Sequence, residues 1–370
     1  RRSVGRIEAV GSVRVQPRPA LDPDGTVPVD VQVTERPRHV LGGTVRYSNV
    51  DGPGLGVYWA DRNLFGGAER LRLGGDLFYL PSSFSRNGHS RYDANNIGGR
   101  LEASFLKPAL HGSRVDFLAD ASLVRTATEA YVSRLANLTG GLRYRFADKT
   151  WMQASLMGEI GQVHDLFGRQ NYRLLGLILS GNWDTTDNEL DPRRGFRLSG
   201  SLMPALGSGD VARTLVAAKV QASAYQPIDE EGRVVLAGRV AVGSIAGGTI
   251  DRIPANWRMF AGGGGSVRGY EYRSIGPRDA NGTLIGGRSL IEASLEARVR
   301  VTETIGIVPF VDAGAAFGSS VPTFDDSLRW GAGLGLRYHT AIGPIRIDVA
   351  TPLNRRRGEL SSSAMIKALG

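Results

Sequence analysis

The chain of 370 residues contains no cysteine. This absence excludes a disulfide framework and a thiolate metal site, and it is compatible with any cellular compartment. The sequence also lacks a run of about 18 consecutive apolar residues, the length that a membrane-spanning helix needs. Aromatic residues make up only 8% of the chain, whereas glycine is abundant, with 50 residues. The architecture therefore rests neither on disulfides nor on membrane helices.

Several classes of function also lack their signatures. The formal net charge is +9, but the arginines are spread singly and form no compact basic patch with stacking aromatic residues, so nucleic-acid binding is not expected. The serines lack a nucleophile-elbow motif, and we expect a protein that is not an enzyme. No cofactor or metal site is predicted because the histidines show no metal-ligand spacing. These histidines are His39, His89, His111, His164 and His339.

What the chain does contain is alternation of apolar and polar residues with a period of two, the pattern of β-strands. In residues 290–301 one face is aliphatic, and the other carries Glu292, Glu296 and further polar residues. Residues 329–340 and 344–349 repeat the pattern. The apolar faces hold small or aliphatic side chains with aromatic residues near the strand ends. Strands that face lipid on one side and a polar lumen on the other have this composition.

About sixteen such segments can be counted, an even number as bacterial outer-membrane barrels require. The predicted fold class is therefore all-β, a 16-stranded antiparallel transmembrane β-barrel. The longest link runs from about 246 to 287, and its many glycines and few charges favour an ordered functional loop. The predicted strands lie near residues 39–48, 54–61, 69–80, 97–107, 113–126, 136–147, 151–162, 172–184, 195–203, 213–226, 233–245, 288–301, 305–317, 328–340, 343–352 and 360–370.

The longest link contains the run Gly262-Gly263-Gly264-Gly265-Ser266-Val267-Arg268-Gly269-Tyr270. Glycine at this density lets the backbone adopt positive φ and pack closely against a wall. A loop that folds inward and places Arg268 at a fixed internal position needs this arrangement, although an exposed loop arginine is the alternative. A buried arginine needs a partner. Candidates on the inward faces of nearby strands are Asp312 and Glu296, since a carboxylate accepts two parallel hydrogen bonds from a guanidinium group.

The first 35 residues or so differ from the rest. Residues 8–15 and 27–33 alternate as short strands around a turn at 21–25. This pattern predicts the tail of a small soluble α/β domain. We therefore expect two parts, residues 1–35 as the end of that domain and residues 36–370 as the barrel with its inward loop 246–287.

Six widely spaced motifs occur along the chain: Glu35–Arg38, Tyr58–Leu71, Leu190–Phe196, Val267–Tyr270, Phe310–Gly314 and Gly343–Asp348. In this order they resemble the BamA/TamA superfamily of outer-membrane barrel insertases. The run 62–66 and the extension 272–277 are most similar to the TamA branch, which provides the barrel subunit of the translocation and assembly module. The resemblance covers about residues 27–353.

The resemblance implies a sixteen-stranded barrel preceded by periplasmic POTRA domains, of which residues 1–35 resemble the last fragment. It implies a bacterial outer-membrane protein with its N-terminal part in the periplasm, in contact with outer-membrane lipid. The implied partners are client β-barrel or autotransporter proteins and a TamB-like inner-membrane protein. In the family, the positions of Asp312 and Glu296 meet the loop arginine. Two features depart from the family: the other POTRA domains are absent, so a fragment of a longer protein is expected, and the chain ends at Gly370 without the usual aromatic residue.

We expect this barrel to insert client proteins through a lateral seam between its first and last strands. A closed barrel has no free strand edge, but a weak closing pair can open and offer an edge to an incoming strand. Glycine weakens the interior of the first strand, and the last strand is polar and poor in β-branched residues. The predicted gate residues are Leu41, Gly42, Gly43, Thr44, Val45, Ser361, Ser362 and Ser363.

Two other functions remain open at this point. A pore of the same superfamily would secrete a client protein through the lumen instead of through the seam, and it would conduct as a large stable pore in a planar bilayer. A passive diffusion porin or a structural barrel has no need of an inward loop, so loss of Arg268 would leave its function unchanged.

Overall fold

The computed structural model describes residues 7–18, 23, 25–48, 52–79, 97–324, 328–340, 343–356 and 364–368. These residues form eighteen β-strands, with short 3-10 helices at Leu110–Gly112 and Ile250–Arg252. No helix within these ranges is long and apolar enough to cross a membrane. The strands are β1 (Val10–Pro17), β2 (Val29–Glu35), β3 (His39–Ser48), β4 (Gly52–Asp61), β5 (Arg70–Tyr79), β6 (Ile97–Lys107), β7 (Val115–Ala127), β8 (Val132–Arg145), β9 (Trp151–Asp165), β10 (Gly168–Asp184), β11 (Gly195–Gly209), β12 (Thr214–Pro227), β13 (Val234–Ala246), β14 (Ser289–Arg300), β15 (Ile305–Phe317), β16 (Arg329–Thr340), β17 (Gly343–Pro352) and β18 (Ala364–Ala368).

The strands from β3 to β18 form one sheet of sixteen strands that follow each other in chain order. All the pairings within it are antiparallel, as expected when successive strands are joined by short turns. The sheet curls round so that its two outermost strands, β3 and β18, approach within 8 Å between Cα atoms. The predicted all-β, antiparallel barrel fold is therefore confirmed.

The two faces of this sheet have the inverse of the polarity found in a water-soluble sandwich. On β16, Leu334 is 55% exposed, whereas Arg337 is only 7% exposed. On β17, Val349 is 53% exposed, and Asp348 is 7% exposed. Aliphatic side chains thus point outward and charged side chains point into the lumen. A wall that faces lipid outside and encloses a polar interior has this arrangement.

Connections alternate between the two ends of the barrel. We call the end where β3 begins the near end, because β1 and β2 precede it. The other end is the far end. The first two strands form a separate two-stranded antiparallel sheet. Arg70 at the near end of β5 joins this segment to the barrel through Glu8, at 2.6 Å between Nη1 and Oε2.

Several strands extend beyond their predicted bounds toward the far end. β8 begins at Val132 instead of 136, β10 at Gly168 instead of 172, and β11 continues to Gly209 instead of 203. The long connection 247–288 covers their inner faces with an apolar cluster, so buried contacts stabilise the extra residues. The described part of the last strand, Ala364–Ala368, lies within the predicted range 360–370. The wall is therefore tall at β8–β11.

Candidate functional site

The connection between β13 and β14, residues 247–288, folds back into the barrel from its far end. The middle of this segment is shielded from solvent, since Ala261 and Tyr270 are 0% exposed. An isolated β-bridge between Ala261 and Ile275 holds its two arms together. We call this segment the inward loop. It is an ordered element that occupies the lumen.

The tip of the inward loop, residues 262–270, is a tight turn. The backbone N–H of Gly263 donates to the carbonyl oxygens of Val267 at 3.2 Å and Tyr270 at 3.1 Å. Gly269 has a φ of 94°, in the left-handed region. A Cβ atom at Gly269 would also lie 2.9 Å from the carbonyl carbon of Thr351 in the wall. Only glycine meets both demands, and the turn directs Arg268 onto the wall.

Arg268 is held mainly by Asp312 on β15. Its Nε donates to Oδ2 at 2.7 Å and its Nη2 to Oδ1 at 2.8 Å, which is the two-bond geometry of a guanidinium and a carboxylate. The backbone N–H of Arg268 also donates to Oδ2 at 3.0 Å. Arg268 is 8% exposed and Asp312 is 1% exposed. The pair is therefore desolvated. Removing either partner would leave a buried charge without its counter-charge, which costs considerable free energy.

The remaining guanidinium donors reach two neighbouring strands. Nη1 of Arg268 donates to Oε1 of Glu296 at 2.9 Å, and Nη2 donates to the hydroxyl of Ser294 at 3.2 Å. Nη1 also lies 3.6 Å from Oδ2 of Asp348. The Cζ atom stacks 3.4 Å from the ring centroid of Phe310, a cation–π contact.

The structure thus brings together Arg268 and both partners named from the sequence. It adds three contacts that the sequence reasoning missed: Ser294, Phe310 and Asp348. Their signal was present, because all three alternate onto the inward faces of their strands, and Phe310 and Asp348 lie within the quoted motifs. What was missing was the relative register of those strands.

Glycines in the wall provide the space into which the tip fits. A Cβ at Gly331 would lie 2.0 Å from the carbonyl oxygen of Arg268, and one at Gly314 would lie 2.8 Å from Cγ2 of Val267. These distances are too short for any side chain larger than hydrogen. Val267 is 0% exposed as a result. Gly331 of β16 and Gly314 of β15 thus form a trough that receives the tip.

Tyr270 completes the contact at the far side of the tip. Its hydroxyl lies 3.3 Å from Oδ1 of Asn354 and 3.4 Å from the carbonyl oxygen of Trp330. Together with Gly269 against Thr351, these contacts join the tip to β16, β17 and the residues just after β17. The motif residues Val267–Tyr270 thus contact the strands β14 to β17, the part of the wall next to β18.

A second anchor holds the first arm of the inward loop on the other side of the lumen. Glu159 on β9 accepts a hydrogen bond from the Tyr172 hydroxyl at 2.8 Å and from Nε1 of Trp257 at 3.0 Å. The side-chain amides of Asn256 and Asn137 donate to it at 3.4 Å. Glu159 is only 8% exposed. The sequence reasoning did not find it, although an acidic residue at an inward-facing strand position was a visible signal.

A third set of contacts ties the loop to the far-end connections. Arg258 pairs with Asp165 at 2.7 Å, and both side chains are 1% exposed. Arg278 pairs with Glu129, in the turn between β7 and β8, at 2.8 Å. Burial, together with the nearby charge of Glu129, raises the pKa of Glu271 to about 7. The outer part of the loop therefore carries one carboxyl group that changes its charge near neutral pH.

The predicted gate residues of the first strand lie on the edge strand β3. Leu41 and Val45 are each 82% exposed, while Gly42 and Thr44 alternate onto the opposite face. A Cβ at Gly42 would lie 2.3 Å from the ring of Tyr58, so this glycine makes room for an aromatic side chain. The predicted gate residues Ser361, Ser362 and Ser363 lie outside the described residues.

Comparison with known proteins gives a consistent picture. Residues 41–364 match the family model of the Omp85 superfamily domain. The outer membrane protein assembly factor BamA of Nitratidesulfovibrio vulgaris is 27% identical over 366 residues, which cover 93% of this chain and 43% of that protein. The chain thus spans less than half the length of this relative.

Two solved structures are similar in fold. BamA from Haemophilus ducreyi lacking POTRA domains 1–3 has a TM-score of 0.78 at 18% identity, with coverage of 98% of this chain and 76% of that chain. CdiB from Acinetobacter baumannii has a TM-score of 0.64 at 16% identity, with coverage of 98% and 66%. At these identities the likeness establishes the barrel fold.

Proposed function

Because this chain belongs to the Omp85 superfamily, we propose that it is an outer-membrane protein assembly factor. In this proposal it inserts client β-barrel or autotransporter proteins through the seam between β3 and β18. It acts by templating and not by catalysing a covalent reaction. The relative named as an assembly factor supports the general role. The lateral route rests on the geometry of this barrel.

The observation that carries the lateral route is the pair of adjacent, unpaired edges. β3 pairs with β4, and β18 pairs with β17. Within the described ranges no ladder joins β3 to β18, although the two strands lie side by side. An unpaired edge exposes a row of N–H and C=O groups that can pair with another chain. An incoming strand is the partner that such an edge fits.

Of the two glycines in the first strand, Gly42 makes room for the ring of Tyr58, which would lie 2.3 Å from a Cβ at this position. Gly43 has only the carbonyl oxygen of Gly56 near its missing side chain, at 3.8 Å, so it remains the candidate for a flexible position. The weakness of the seam then rests mainly on its lack of pairing.

The inward loop has a defined role in this proposal. Its tip braces β14 to β17 through Arg268 and Tyr270, and its first arm braces β9 through Glu159. The loop keeps the tall part of the wall rigid, so opening is confined to the seam. It also occupies the lumen, which disfavours a wide permanently open pore.

Finer features of the proposal follow the motif resemblance. We place the chain closest to the TamA branch, with a TamB-like inner-membrane partner. Residues 1–35 would be the end of a periplasmic POTRA domain, and residues 36–370 the barrel. The near end would then face the periplasm, and the far end would face the cell exterior. Co-purification of the full-length protein with a TamB-like partner tests this assignment.

The lateral route is tested by locking the seam. The chain has no native cysteine, so pairs can be introduced at the outward positions Leu41 or Val45 of β3 and at Ala364 or Ile366 of β18, which pair with outward-facing residues of β17. Gly42 is avoided, because any side chain there meets Tyr58. Pairs are chosen whose Cα atoms lie within about 7 Å and whose Cβ atoms point toward each other, as a disulfide requires. The protein is reconstituted in proteoliposomes with a urea-unfolded outer-membrane porin, and folded porin is measured by its heat-modifiable gel mobility.

We expect the oxidised protein to lose porin insertion and the reduced protein to regain it. The matched control is Leu123→Cys with Ala136→Cys, a paired position in the β7–β8 ladder, and oxidation there should leave insertion intact. If the locked seam inserts porin at the rate of the reduced protein, lateral opening is wrong. Secretion of a client through the lumen then becomes the better interpretation, and a large stable conductance in a planar bilayer would support it.

A further inference from the structure

A row of cationic residues crosses the near end of the wall beside the seam. In the sheet register, Arg300 of β14 pairs with Gly306 of β15, Gly306 pairs with Arg337 of β16, Arg337 pairs with Arg346 of β17, and Arg346 pairs with Lys367 of β18. Four cationic residues and one glycine thus occupy one line of register across five strands. Like charges directly opposite each other destabilise a sheet. An anion bound beside this row would reduce the repulsion between its charges.

Four arginines in and beside this row already have carboxylate partners. Arg268, Arg298, Arg300 and Arg337 each lie within 4.0 Å of a carboxylate oxygen. Two of these carboxylates, Glu296 and Asp348, are shared with the loop arginine.

Arg346 differs from the other four arginines, since it forms no ion pair in the part of the chain that the structure describes. Among the described residues, its Nη2 donates only to the carbonyl oxygen of Leu190, at 2.9 Å. Its Nε is buried and has no hydrogen-bond acceptor among the described residues. Arg346 therefore has donors available inside the lumen.

There is also space for a ligand beside these donors. A cavity of about 40 Å³ is lined by Arg298, Arg300, Arg337, His339 and Arg346, which is room for a compact group larger than one water. The glycine of the row, Gly306, leaves open the space where a side chain would meet His339 at 3.4 Å.

The turn between β10 and β11 closes the cavity from the near end. Asp191 lies 3.6 Å from Nη2 of Arg300 and 3.7 Å from Nδ1 of His339. The carbonyl oxygen of Pro192 accepts a hydrogen bond from Arg298 at 3.4 Å. This turn reaches the cavity from another part of the wall, and its Asp191 carboxylate already faces Arg300 and the imidazole of His339.

We propose that this row is a binding site for a phosphate group, with Arg346 and Arg300 as its principal donors. A guanidinium presents a planar fork that matches the oxygens of a phosphate, and several forks around one cavity favour a multiply charged oxyanion over a chloride ion. The row ends on β18 at the open edge of the barrel. A phosphate carried by the headgroup of an anionic lipid in the adjacent leaflet can therefore reach it through the seam, and free phosphate can reach it through the lumen.

The test uses the purified full chain in zwitterionic detergent. The thermal unfolding midpoint is measured against inorganic phosphate and pyrophosphate at constant ionic strength, because a ligand that binds the native state raises the midpoint by mass action. The second arm places the protein in nanodiscs of phosphatidylcholine with or without phosphatidylglycerol and counts retained lipid by native mass spectrometry. The variants are Arg346→Gln and Arg346→Lys, and the control is Arg213→Gln, an exposed arginine at the far end.

We expect saturable stabilisation of the wild-type protein by pyrophosphate, weakened by about tenfold or more in Arg346→Gln. Arg346→Lys should lie between the two, since it keeps the charge and loses the fork. Arg213→Gln should match the wild type. Selective retention of phosphatidylglycerol that depends on Arg346 identifies the lipid headgroup as the source, whereas an effect of soluble anions alone identifies free phosphate. The proposal is overturned if the wild type shows no saturable response to either anion or lipid, or if Arg346→Gln responds like the control. These measurements do not involve clients, so they are independent of the seam experiment.

Discussion

The contact of Arg268 with the wall allows a quantitative prediction. Arg268→Ala removes two hydrogen bonds to Asp312 at 2.7 and 2.8 Å, one to Glu296 at 2.9 Å, and the stacking on Phe310. It also leaves Asp312, which is 1% exposed, without its main counter-charge. Breaking a buried ion pair by removing one partner costs about 3–5 kcal/mol. Because the variant retains the backbone N–H that donates to Asp312, we expect the lower half of this range.

This free energy should appear as local release of the loop tip, not as global unfolding. The wall ladders do not depend on Arg268, so the barrel itself should stay folded. A loss of about 3 kcal/mol corresponds to a roughly hundredfold increase in the open population. Hydrogen exchange of the backbone amides in residues 261–275, measured by mass spectrometry at fixed pH, reports that population directly. Client insertion in the porin assay should fall in parallel.

Two further variants decide the cause. The double variant Arg268→Ala with Asp312→Ala should cost less than the sum of the single variants, because the second change removes the orphaned charge. Arg213→Ala, at an exposed far-end position, should leave the exchange of the tip unchanged. If Arg268→Ala changes tip exchange by less than about a factor of three, or if the two single effects simply add, the pair does not hold the loop and the reasoning fails.

Three other predictions concern separate contacts of the loop. Glu159→Ala removes the acceptor shared by four donors, although the Tyr172 hydroxyl retains Oδ1 of Asn256 at 3.1 Å. Each donor left buried and unpaired costs about 1–3 kcal/mol before relaxation, so exchange at residues 253–258 should become faster while the tip stays protected. Equal effects on both segments would show that the two anchors are not independent. Gly331→Ala places a Cβ 2.0 Å from the Arg268 carbonyl oxygen, so it should release the tip. Gly158→Ala is the control, because a Cβ there meets nothing within 4 Å. If the tip of the Gly331→Ala variant remains protected from exchange, the glycine trough does not position the loop. The pKa of Glu271 is raised to about 7, so its neutral form is favoured in the docked loop, and docking should weaken as pH rises from about 4.5 through 7. Glu271→Gln should abolish this trend in the exchange of the neighbouring residues, and an unchanged pH profile in that variant would assign the trend to another group.

The candidate site was partly visible in the sequence. Arg268 stood out because one arginine lies within a dense glycine run, and Asp312 and Glu296 because they alternate onto inward faces. Glu159 was missed, although it satisfies the same inward-face rule, because its partners Asn256 and Trp257 lie almost a hundred residues away in an irregular segment. Gly42 was assigned to the gate for its flexibility, and only the packing of Tyr58 revealed its second role.

The sequence by itself determined the strands, their inward and outward faces, and the existence of an inward loop. These properties are local, because the pleat of a strand repeats every two residues and positive φ values select glycine position by position. The tertiary structure decided which inward residues meet. The cationic row from Arg300 to Lys367, the sharing of Asp348 and the unpaired seam all depend on the register of five strands and on the curvature of the whole sheet. The register depends on packing between residues that are distant in the sequence. The residues of a single strand therefore do not determine it.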